Sequence, residues 1–252
     1  MFNEFKDIIL EAGEILKDGF YSKKEVAFKG KKDLVTKYDI EIEEFLKAKF
    51  SKFNYTIIAE ESLKEKFGNS IIIDPIDGTT NFANSLPFCA ISVAVYENKE
   101  LKYGFVYNPI LNEFFWAIKG EGAYKNGAKI SVSNEDNLQK ALIATGFPYS
   151  NSENQEDLEW VVEKIKNVLP RCQDIRRFGS AAIDLFYVAE GKFEGFYEIN
   201  LMPWDVAAGI LIVKEAGGAI SNNKNSNYDI FNDKCIVATN GLIHNSLLDL
   251  VK

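Results

Sequence analysis

The chain has 252 residues, 46% hydrophobic and 13% aromatic, enough to bury a large core as one compact unit or two closely packed halves. Its formal net charge of −8 argues against non-specific nucleic-acid binding, which depends on Lys and Arg replacing counterions along the phosphates. The single histidine, His244, leaves almost no material for His-rich zinc sites or Ser-His-Asp hydrolysis. Any chemistry is therefore expected to be carboxylate chemistry.

Cysteine usage and hydropathy indicate the compartment. Cys89, Cys172 and Cys235 are widely spaced, odd in number and form no Cys-x-x-Cys pair, which is typical of buried thiols in a reducing environment. No uninterrupted apolar run approaches the length of a membrane span. We therefore expect a cytoplasmic protein with no membrane partner.

The first part of the chain predicts helices. Apolar residues from Phe2 to Leu16 recur every three or four positions, which predicts an amphipathic helix that ends near Gly19. A second helix is predicted over residues 40–50, and the lysine-rich stretch 22–37 between the two helices is predicted to be a mobile loop.

The rest of the chain predicts two kinds of β structure. Short strands are predicted at 55–59, 70–74, 89–96, 101–107 and 113–118, followed by a hairpin turn at Asn126-Gly127. Helices at 158–169, 180–190, 204–216 and 242–251 then alternate with strands at 141–145, 193–198 and 235–238. We expect a layered α/β protein, with an N-terminal α+β half over residues 1–135 and a C-terminal α/β half over 136–252, packed as one unit.

The segment Asp74-Pro75-Ile76-Asp77-Gly78-Thr79-Thr80-Asn81-Phe82 is the most informative in the chain. Pro75 disfavours helical geometry at Asp74, so the first acid is expected to close the apolar strand and the second to enter a turn. Gly78 permits close approach of a ligand, and a short helix starting at Thr79 would attract an anion. Carboxylates beside phosphate-binding amides suit Mg²⁺, although the same residues are ordinary in turns.

Other carboxylates stand where they could join this pair. Glu60 ends an apolar strand, and it emerges beside Asp74 if the two strands lie side by side in parallel. Asp205 precedes the small residues Ala207-Ala208-Gly209 at a helix start, which suits close approach to a backbone or ligand. Asp39 begins the second helix. A favourable helix dipole is the alternative explanation for Glu60, and plain helix capping is the alternative for Asp205 and Asp39, favoured for Asp205 when it is considered alone.

Basic residues offer a contact for an anion or a hydroxyl group. Arg176 and Arg177 precede Gly179-Ser180-Ala181-Ala182, a glycine-serine helix start. Ordinary surface arginines are the alternative interpretation.

Four segments in order resemble the inositol monophosphatase family of metal-dependent, lithium-sensitive phosphatases. They are Glu60-Glu61-Ser62, Asp74 to Phe82, Gly179 to Ala182 and Trp204 to Gly209, and the likeness runs from about Asp33 to Gly218. The resemblance implies a layered αβαβα fold, a homodimer, and hydrolysis of a small phosphomonoester by a water activated by two to three Mg²⁺ ions.

The resemblance also implies roles for individual residues. The ligands of the first ion are matched by Glu60, Asp74 and the carbonyl of Ile76. Those of the second ion are matched by Asp74, Asp77 and Asp205. A third, weaker ion would lie near Glu60. Glu60, Thr79 and Asp39 match the residues that act on the attacking water, with Asp39 paired to the Thr79 hydroxyl. The matched substrate contacts are Asp77, Gly78, Thr79, Ser180, Ala181, Glu198 and Asp205.

Departures from the family pattern are modest. Ala59 stands where glycine is frequent, and thirteen residues separate Glu60 from Asp74, a short spacing nearer the compact bacterial and archaeal members. Some of those members also hydrolyse fructose 1,6-bisphosphate, whose second phosphate could contact Arg176, Arg177 or a lysine of Lys29 to Lys32. Inositol monophosphate is the expected substrate; sugar bisphosphates, adenosine 3′,5′-bisphosphate and histidinol phosphate are alternatives. The alternative from a different functional class is a role as a binding partner of a transcription complex.

Overall fold

A computed structural model describes residues 1–22, 26–28, 34–61, 68–148 and 154–252. The larger sheet has seven strands in the order β3-β4-β5-β6-β7-β8-β9, in which only β3 and β4 are parallel neighbours. Its strands are β3 (Thr56–Ala59), β4 (Ser70–Asp77), β5 (Ala90–Glu97), β6 (Glu100–Asn108), β7 (Glu113–Ile118), β8 (Gly122–Lys125) and β9 (Ala128–Lys129). A separate antiparallel pair joins β1 (Val26–Phe28) to β2 (Leu34–Thr36).

The smaller sheet has five strands in the order β11-β10-β12-β14-β13 and mixes parallel with antiparallel pairs. Its strands are β10 (Leu142–Thr145), β11 (Asp174–Arg176), β12 (Gly195–Ile199), β13 (Ala219–Ser221) and β14 (Cys235–Thr239). The helices are α1 (Phe2–Tyr21), α2 (Lys37–Phe50), α3 (Thr79–Ala83), α4 (Gln155–Val168), α5 (Ala181–Ala189), α6 (Pro203–Glu215) and α7 (His244–Val251).

The sheets and helices form five alternating layers with a hydrophobic core at each of the main interfaces. Side chains alternate along β4, so that Ile71 and Ile73 face α1 and α2 whereas Ile72 faces α5 and α6. On its other side the α5–α6 layer packs on the five-stranded sheet, whose outer face carries α4 and α7. The predicted layered α/β fold is confirmed. The division into halves at residues 135 and 136 stays a prediction.

Close approach of backbones seats α6 between the sheets. A methyl group at Gly104 on β6 would lie 2.7 Å from the carbonyl oxygen of Ala208, and one at Gly209 would lie 2.6 Å from Leu185 of α5. Both distances are shorter than real contacts allow, so glycine is needed at both positions. The small residues at the start of α6 therefore serve backbone packing, one of the two explanations that the sequence left open.

Two local predictions were wrong. The strand predicted to close at Asp74 continues through Asp77, because β4 resumes its pairing with β5 after an irregularity. Part of the predicted loop 22–37 forms the β1–β2 pair and the first residue of α2, while residues 23–25 and 29–33 lie outside the described part of the chain. Among the described residues no helix is long and apolar enough to cross a membrane.

His244 joins three elements of the smaller sheet layer. Its Nδ1 lies 2.9 Å from the Thr239 hydroxyl of β14, and its Nε2 lies 2.9 Å from the Ser221 hydroxyl of β13. Thr239 Oγ1 accepts from the amide of Gly241, and Ser221 Oγ donates to the carbonyl of Asn222. This arrangement suits a neutral ring protonated at Nε2, and burial lowers the pKa of His244 from its ordinary value of 6.5.

Stability should therefore depend on the protonation of His244. Because its pKa is lower in the folded state, the unfolded chain binds the proton more readily, so this contribution is complete above pH 6.5 and is lost as the pH falls through the folded-state value. His244→Gln should cost about 1–3 kcal/mol at pH 8 through lost hydrogen bonds. Urea unfolding at pH 8 and pH 5 should show a smaller acid-induced loss in the variant than in the unsubstituted chain. Equal losses would contradict the assignment.

Candidate metal centre

The β3–β4 pair brings the first acids together at one edge of the larger sheet. The two strands run parallel with Ala59 opposite Ile73, so Glu60 follows its strand beside Asp74. This confirms the expectation that Glu60 and Asp74 emerge side by side where their two strands end. Parallel strands end at a common edge, where a ligand can reach the side chains that follow them.

An extra residue in β4 places Asp74 and Asp77 on the same face. Residues three positions apart in a regular strand point to opposite faces. Here Asp74 lies opposite Ser92 and Asp77 opposite Ala90, so three steps along β4 match two along β5. The added residue restores the same orientation, and Pro75, which has no N–H to donate to the ladder, lies within the irregular segment. Both acids consequently face the α5–α6 layer.

The turn after Asp77 is shaped by Gly78. Its φ of +90° is unfavourable for other residues, and a methyl group there would lie 2.7 Å from the carbonyl oxygen of Phe88. Behind it, the side-chain nitrogen Nδ2 of Asn81 donates to the carbonyl oxygens of Phe88 and Phe178, each at 2.7 Å. The central motif is therefore fastened both to its own sheet and to the segment that leads into α5.

Asp205 arrives from the first turn of α6. Its Oδ2 accepts a hydrogen bond of 2.7 Å from the amide of Met202, and Ser92 Oγ of β5 donates to the carbonyl of Trp204 at 3.1 Å. Oxygen atoms of Asp74, Asp77 and Asp205 all lie within 4.8 Å of one another. Residues more than a hundred positions apart in the chain thus form one acidic cluster.

Burial and mutual repulsion dominate the electrostatics of this cluster. The pKa of Asp74, which is 2% exposed, is raised well above its ordinary value first by desolvation and then by the charges of Glu60, Asp77 and Asp205. The pKa of Asp205 is also raised well above its ordinary value, by desolvation and by the charge of Asp77, while the Met202 amide opposes the shift. Each carboxylate makes its neighbours harder to ionise.

Asp77 is the best supported of the three acids. Desolvation raises its pKa to about 6, and hydrogen bonds from Ser180 and from the amides of Ala182 and Ala181 limit the rise. Its Oδ2 accepts from Ser180 Oγ at 2.7 Å and from the Ala182 amide at 2.6 Å. The start of α5 therefore holds one oxygen of Asp77.

A buried relay connects the motif to α2. Asp39 is fully buried, and its Oδ2 accepts 2.7 Å from the amide of Thr36 and 2.5 Å from the Thr36 hydroxyl, an N-terminal cap of α2. Its other oxygen, Oδ1, lies 2.9 Å from Thr79 Oγ1, which is also 3.0 Å from the carbonyl oxygen of Ile76. Asp39 therefore belongs to the capping box of α2 and also pairs with the Thr79 hydroxyl.

These groups surround a cavity of about 330 Å³. Asp39 does not line this cavity but is reached through Thr79. Besides the acidic trio, the lining includes seven of the sequence-predicted site residues: Glu60, Ile76, Gly78, Thr79, Ser180, Ala181 and Glu198. Glu60 lies in this lining but outside the cluster bounded by 4.8 Å. The assignment of metal and substrate contacts to individual residues stays a prediction.

The chemistry of the donor set fits a hard divalent cation. Three carboxylates converge, their pKa values are raised by burial and mutual repulsion, and a fourth acid, Glu60, lines the same cavity. Carboxylate and carbonyl oxygens are the ligands that Mg²⁺ prefers. A bound cation would relieve the repulsion that the fold imposes on these groups.

The cavity lining also contains a carboxyl group and a guanidinium group whose charges interact, Glu198 and Arg177. Glu198 is 7% exposed, and desolvation raises its pKa to about 8, against the opposing effect of the Arg177 charge. Arg177 lines the cavity, whereas Arg176 bonds to Asp174 and is not in the lining. The predicted contacts at Lys29 to Lys32 lie outside the described residues.

The sequence reasoning missed Asp184 and Gly146. Asp184 is 1% exposed in α5, and its Oδ1 has no hydrogen-bond partner among the described residues. Desolvation raises its pKa well above the ordinary value, and the charges of Glu198 and Asp77 add to the rise. The sequence does contain a signal for Asp184, because it is the only ionisable carboxylate within the apolar run 181–189. Gly146, at the end of β10, packs against Glu198 and had no comparable signal.

Comparisons with known proteins agree with this geometry. The model of the inositol monophosphatase family matches residues 2–252. The chain belongs to the inositol monophosphatase family. The resemblance inferred from the four sequence segments, and the expectation of a phosphoric monoester hydrolase, are thereby confirmed.

Individual relatives of this family member carry different names. The chain is 36% identical to fructose-1,6-bisphosphatase/inositol-1-monophosphatase of Aquifex aeolicus, covering 96% of this chain and 92% of that protein. It is 42% identical to Nus factor SuhB of Escherichia coli, covering 79% and 75%. The crystal structure of extragenic suppressor protein suhB from Bartonella henselae superposes with a TM-score of 0.92 at 36% identity, covering 100% and 98%.

Gly78→Ala should expose the constraint on the central turn. The variant combines a positive φ with a clash against the carbonyl of Phe88, whereas Gly127→Ala has a similar φ of +86° and no atom within 4 Å of the added methyl group. We expect Gly127→Ala to cost about 1–2 kcal/mol and Gly78→Ala clearly more. Urea unfolding of both variants measures the difference. Equal costs would show that close approach at Gly78 is unimportant.

Proposed function

We propose that this protein hydrolyses a small polyol or sugar phosphomonoester, with inositol monophosphate the preferred substrate, in a Mg²⁺-dependent reaction. The observation that carries the proposal is the convergence of Asp74, Asp77 and Asp205 within 4.8 Å beside the Thr79–Asp39 pair. The family assignment supports phosphatase chemistry, and the names of the relatives support an inositol or sugar substrate. A cytoplasmic homodimer is part of the proposal.

The proposed site holds two to three Mg²⁺ ions. Glu60, Asp74 and the carbonyl of Ile76 would hold one, Asp74, Asp77 and Asp205 a second, and Glu60 contributes to a weaker third. Bound Mg²⁺ supplies charge neutralisation and lowers the pKa of water at the site. Asp74 would bind both the first and the second ion, and its pKa is raised by the charges of the other acids around it.

Thr79 and Asp39 prepare the attacking water. The Thr79 hydroxyl has one proton, which it directs to Asp39 Oδ1 or to the carbonyl of Ile76. Its oxygen therefore remains an acceptor and can orient a water molecule through one of that water's protons. Glu60, at the strand end beside Asp74, is proposed to accept the other proton. Both protons of the water then have an acceptor on the protein as its oxygen attacks phosphorus.

The remaining contacts bind the substrate. The amides of Gly78 and Thr79 are proposed to bind phosphate oxygens at the start of α3. A cation held by Asp77 and Asp205 would stabilise the negative charge that develops on the leaving-group oxygen. Ser180, Ala181 and Glu198 are proposed to contact the hydroxyl groups of the leaving alcohol. Ser180 Oγ already donates to Asp77 and accepts from the amide of Ile183 at 3.3 Å, which leaves one lone pair for a substrate hydroxyl. In-line transfer would require the nucleophile and the leaving group to lie at opposite sides of the phosphate.

Asp205→Asn tests the proposed metal role in turnover. Removing one anionic ligand should lower phosphate release from inositol 1-phosphate on the order of a hundredfold or more and raise the Mg²⁺ concentration needed for half-maximal rate. Asp7→Asn, at an exposed acid of α1, is the matched control and should change neither quantity. Full activity of Asp205→Asn, or release by the unsubstituted enzyme in EDTA, would contradict the mechanism.

The same variant should have the opposite effect on the metal-free protein. Asp205 is repelled by Asp77, so replacing it with a neutral amide should raise the melting temperature measured in EDTA. Mg²⁺ at about a hundredfold its Kd should stabilise the unsubstituted chain by ~2.7 kcal/mol and the variant by less. Differential scanning fluorimetry with and without Mg²⁺ measures both effects. A Mg²⁺ shift that is identical in the two proteins would place the ion elsewhere.

A partner role in a transcription complex is a second candidate, supported by the relative named Nus factor SuhB. The double variant Asp74→Asn, Asp77→Asn should abolish hydrolysis while leaving the outer surface unchanged, since both residues are buried. Retained co-purification of transcription proteins with this variant would support a role that does not need catalysis. If no transcription protein co-purifies with either the unsubstituted chain or the variant, this second candidate function is ruled out.

A further inference from the structure

Helix α2 carries two buried acids on one face. Asp39 is 0% exposed and Glu43 is 2% exposed, and the two are one helical turn apart. Residues four positions apart in a helix lie above one another on the same side. Because a buried carboxylate is costly without hydrogen-bond donors, the partners of these acids show what the helix face contacts. The two acids accept hydrogen bonds from two different segments beside the cavity.

Glu43 holds the chain at the end of β3. Its Oε2 accepts a hydrogen bond of 2.8 Å from the backbone amide of Glu61. That amide belongs to the same planar peptide group as the carbonyl of Glu60, so holding one fixes the orientation of the other. The pairing of β3 with β4 ends where Ala59 lies opposite Ile73. The hydrogen bond from Glu61 therefore restrains the chain beyond the last pair of the ladder, where the Glu60 side chain begins.

Asp39 holds the other group that is proposed to act on the attacking water. Its Oδ1 lies 2.9 Å from Thr79 Oγ1. Glu60 and Thr79 both line the cavity beside the acidic cluster. In the proposed mechanism each of them accepts one proton of the same water molecule, so the distance between them must suit one water. One face of α2 thus contacts both segments that carry the proposed acceptors.

The helix that carries the two acids is firmly packed. Ile42 and Leu46 are fully buried and belong to the hydrophobic core that joins α2 to α1 and β4. The capping box of Thr36 and Asp39 fixes the first turn of α2. Side chains on such a packed helix can hold a site more precisely than side chains on loops.

A pair with Lys47 does not by itself explain the burial of Glu43. Its Oε1 lies 3.4 Å from Nζ of Lys47, whose side chain is 38% exposed. An ion pair between neighbouring turns of a helix with a partly exposed lysine contributes little to stability. The shorter contact is the charge-assisted hydrogen bond from the amide of Glu61, the peptide group that it shares with Glu60.

We propose that Glu43 is a positioning residue, which fixes the Glu60–Glu61 peptide so that Glu60 stands at the distance from Thr79 that one attacking water requires. Glu43 and Asp39, on one face of α2, then determine the two sides of the nucleophile site. Glu43 is not part of the described cavity lining, so it acts through Glu60 and not on the substrate. This inference rests on the proposed phosphatase function and adds a residue to that site.

Steady-state kinetics of three variants with inositol 1-phosphate at saturating Mg²⁺ test the inference. Glu43→Leu accepts no hydrogen bond, so kcat should fall about tenfold or more while KM stays within about twofold. Glu43→Gln keeps an acceptor oxygen at the same side-chain length, so kcat should stay within about threefold of the unsubstituted value. Glu43→Asp keeps the charge but is one methylene group shorter, so its kcat should lie below that of Glu43→Gln. The comparison of Asp with Gln serves as the test if Glu43→Leu does not fold.

Two further variants of α2 separate positioning from structural damage. Glu44→Leu makes the same exchange one position later, on the exposed side of the helix, and should change neither kcat nor KM. Leu46→Val removes a methylene group from the buried side, so it should lower the melting temperature. Its kcat should stay within about twofold when it is measured well below that temperature.

The outcomes distinguish the possible failures. A kcat within about twofold of the unsubstituted value in both Glu43→Leu and Glu43→Asp would overturn the inference and leave the phosphatase function intact. A fall in Glu43→Gln as large as that in Glu43→Asp would also overturn it, because an acceptor of the right length would then be insufficient. A comparable fall in Leu46→Val would show general damage to α2 and overturn it as well. If the unsubstituted enzyme releases no phosphate from inositol 1-phosphate, the proposed function fails and this inference fails with it.

Discussion

The crowding of Asp74, Asp77 and Asp205 into a volume 4.8 Å across is the constraint on which the rest of the structure depends. Burial and mutual repulsion both oppose ionisation of these groups, so the protein must hold them together with interactions made elsewhere. Part of the compensation comes from local hydrogen bonds. The Ser180 hydroxyl and the Ala182 amide donate to Asp77, and the Met202 amide donates to Asp205. The remainder comes from the packed layers that carry these segments.

Those layers explain how the acids are brought together. β4 is buried on both faces, and its extra residue around Pro75 directs Asp74 and Asp77 to the same side. α6 lies against β6 at the distance that Gly104 permits, which delivers Asp205 to that side. α5 packs beside α6 in the same layer, and Ser180 at its start donates to Asp77. The Asn81 side chain links the central motif to the segment that leads into α5. Hydrophobic packing thus provides the rigidity that a cluster of like charges requires.

The cavity lining contains two sets of ionisable groups. The acidic cluster is suited to a cation and a phosphate, and the Thr79–Asp39 pair lies beside it. The other set is Glu198 and Arg177, which pack against Gly146 and Gly179 respectively.

Local patterns in the chain predict its periodic elements and its chemistry. A layered α/β phosphatase is predicted by the spacing in α1, the apolar run before Asp74, the Asn126-Gly127 turn and the four family motifs, because these signals are local in the chain. Three features emerge only from the folded arrangement: β4 passes through Asp77 with an extra residue, Asp39 reaches Thr79, and Arg177 rather than Arg176 lines the cavity. Strand register and cavity lining depend on contacts between distant segments, and no local pattern encodes them.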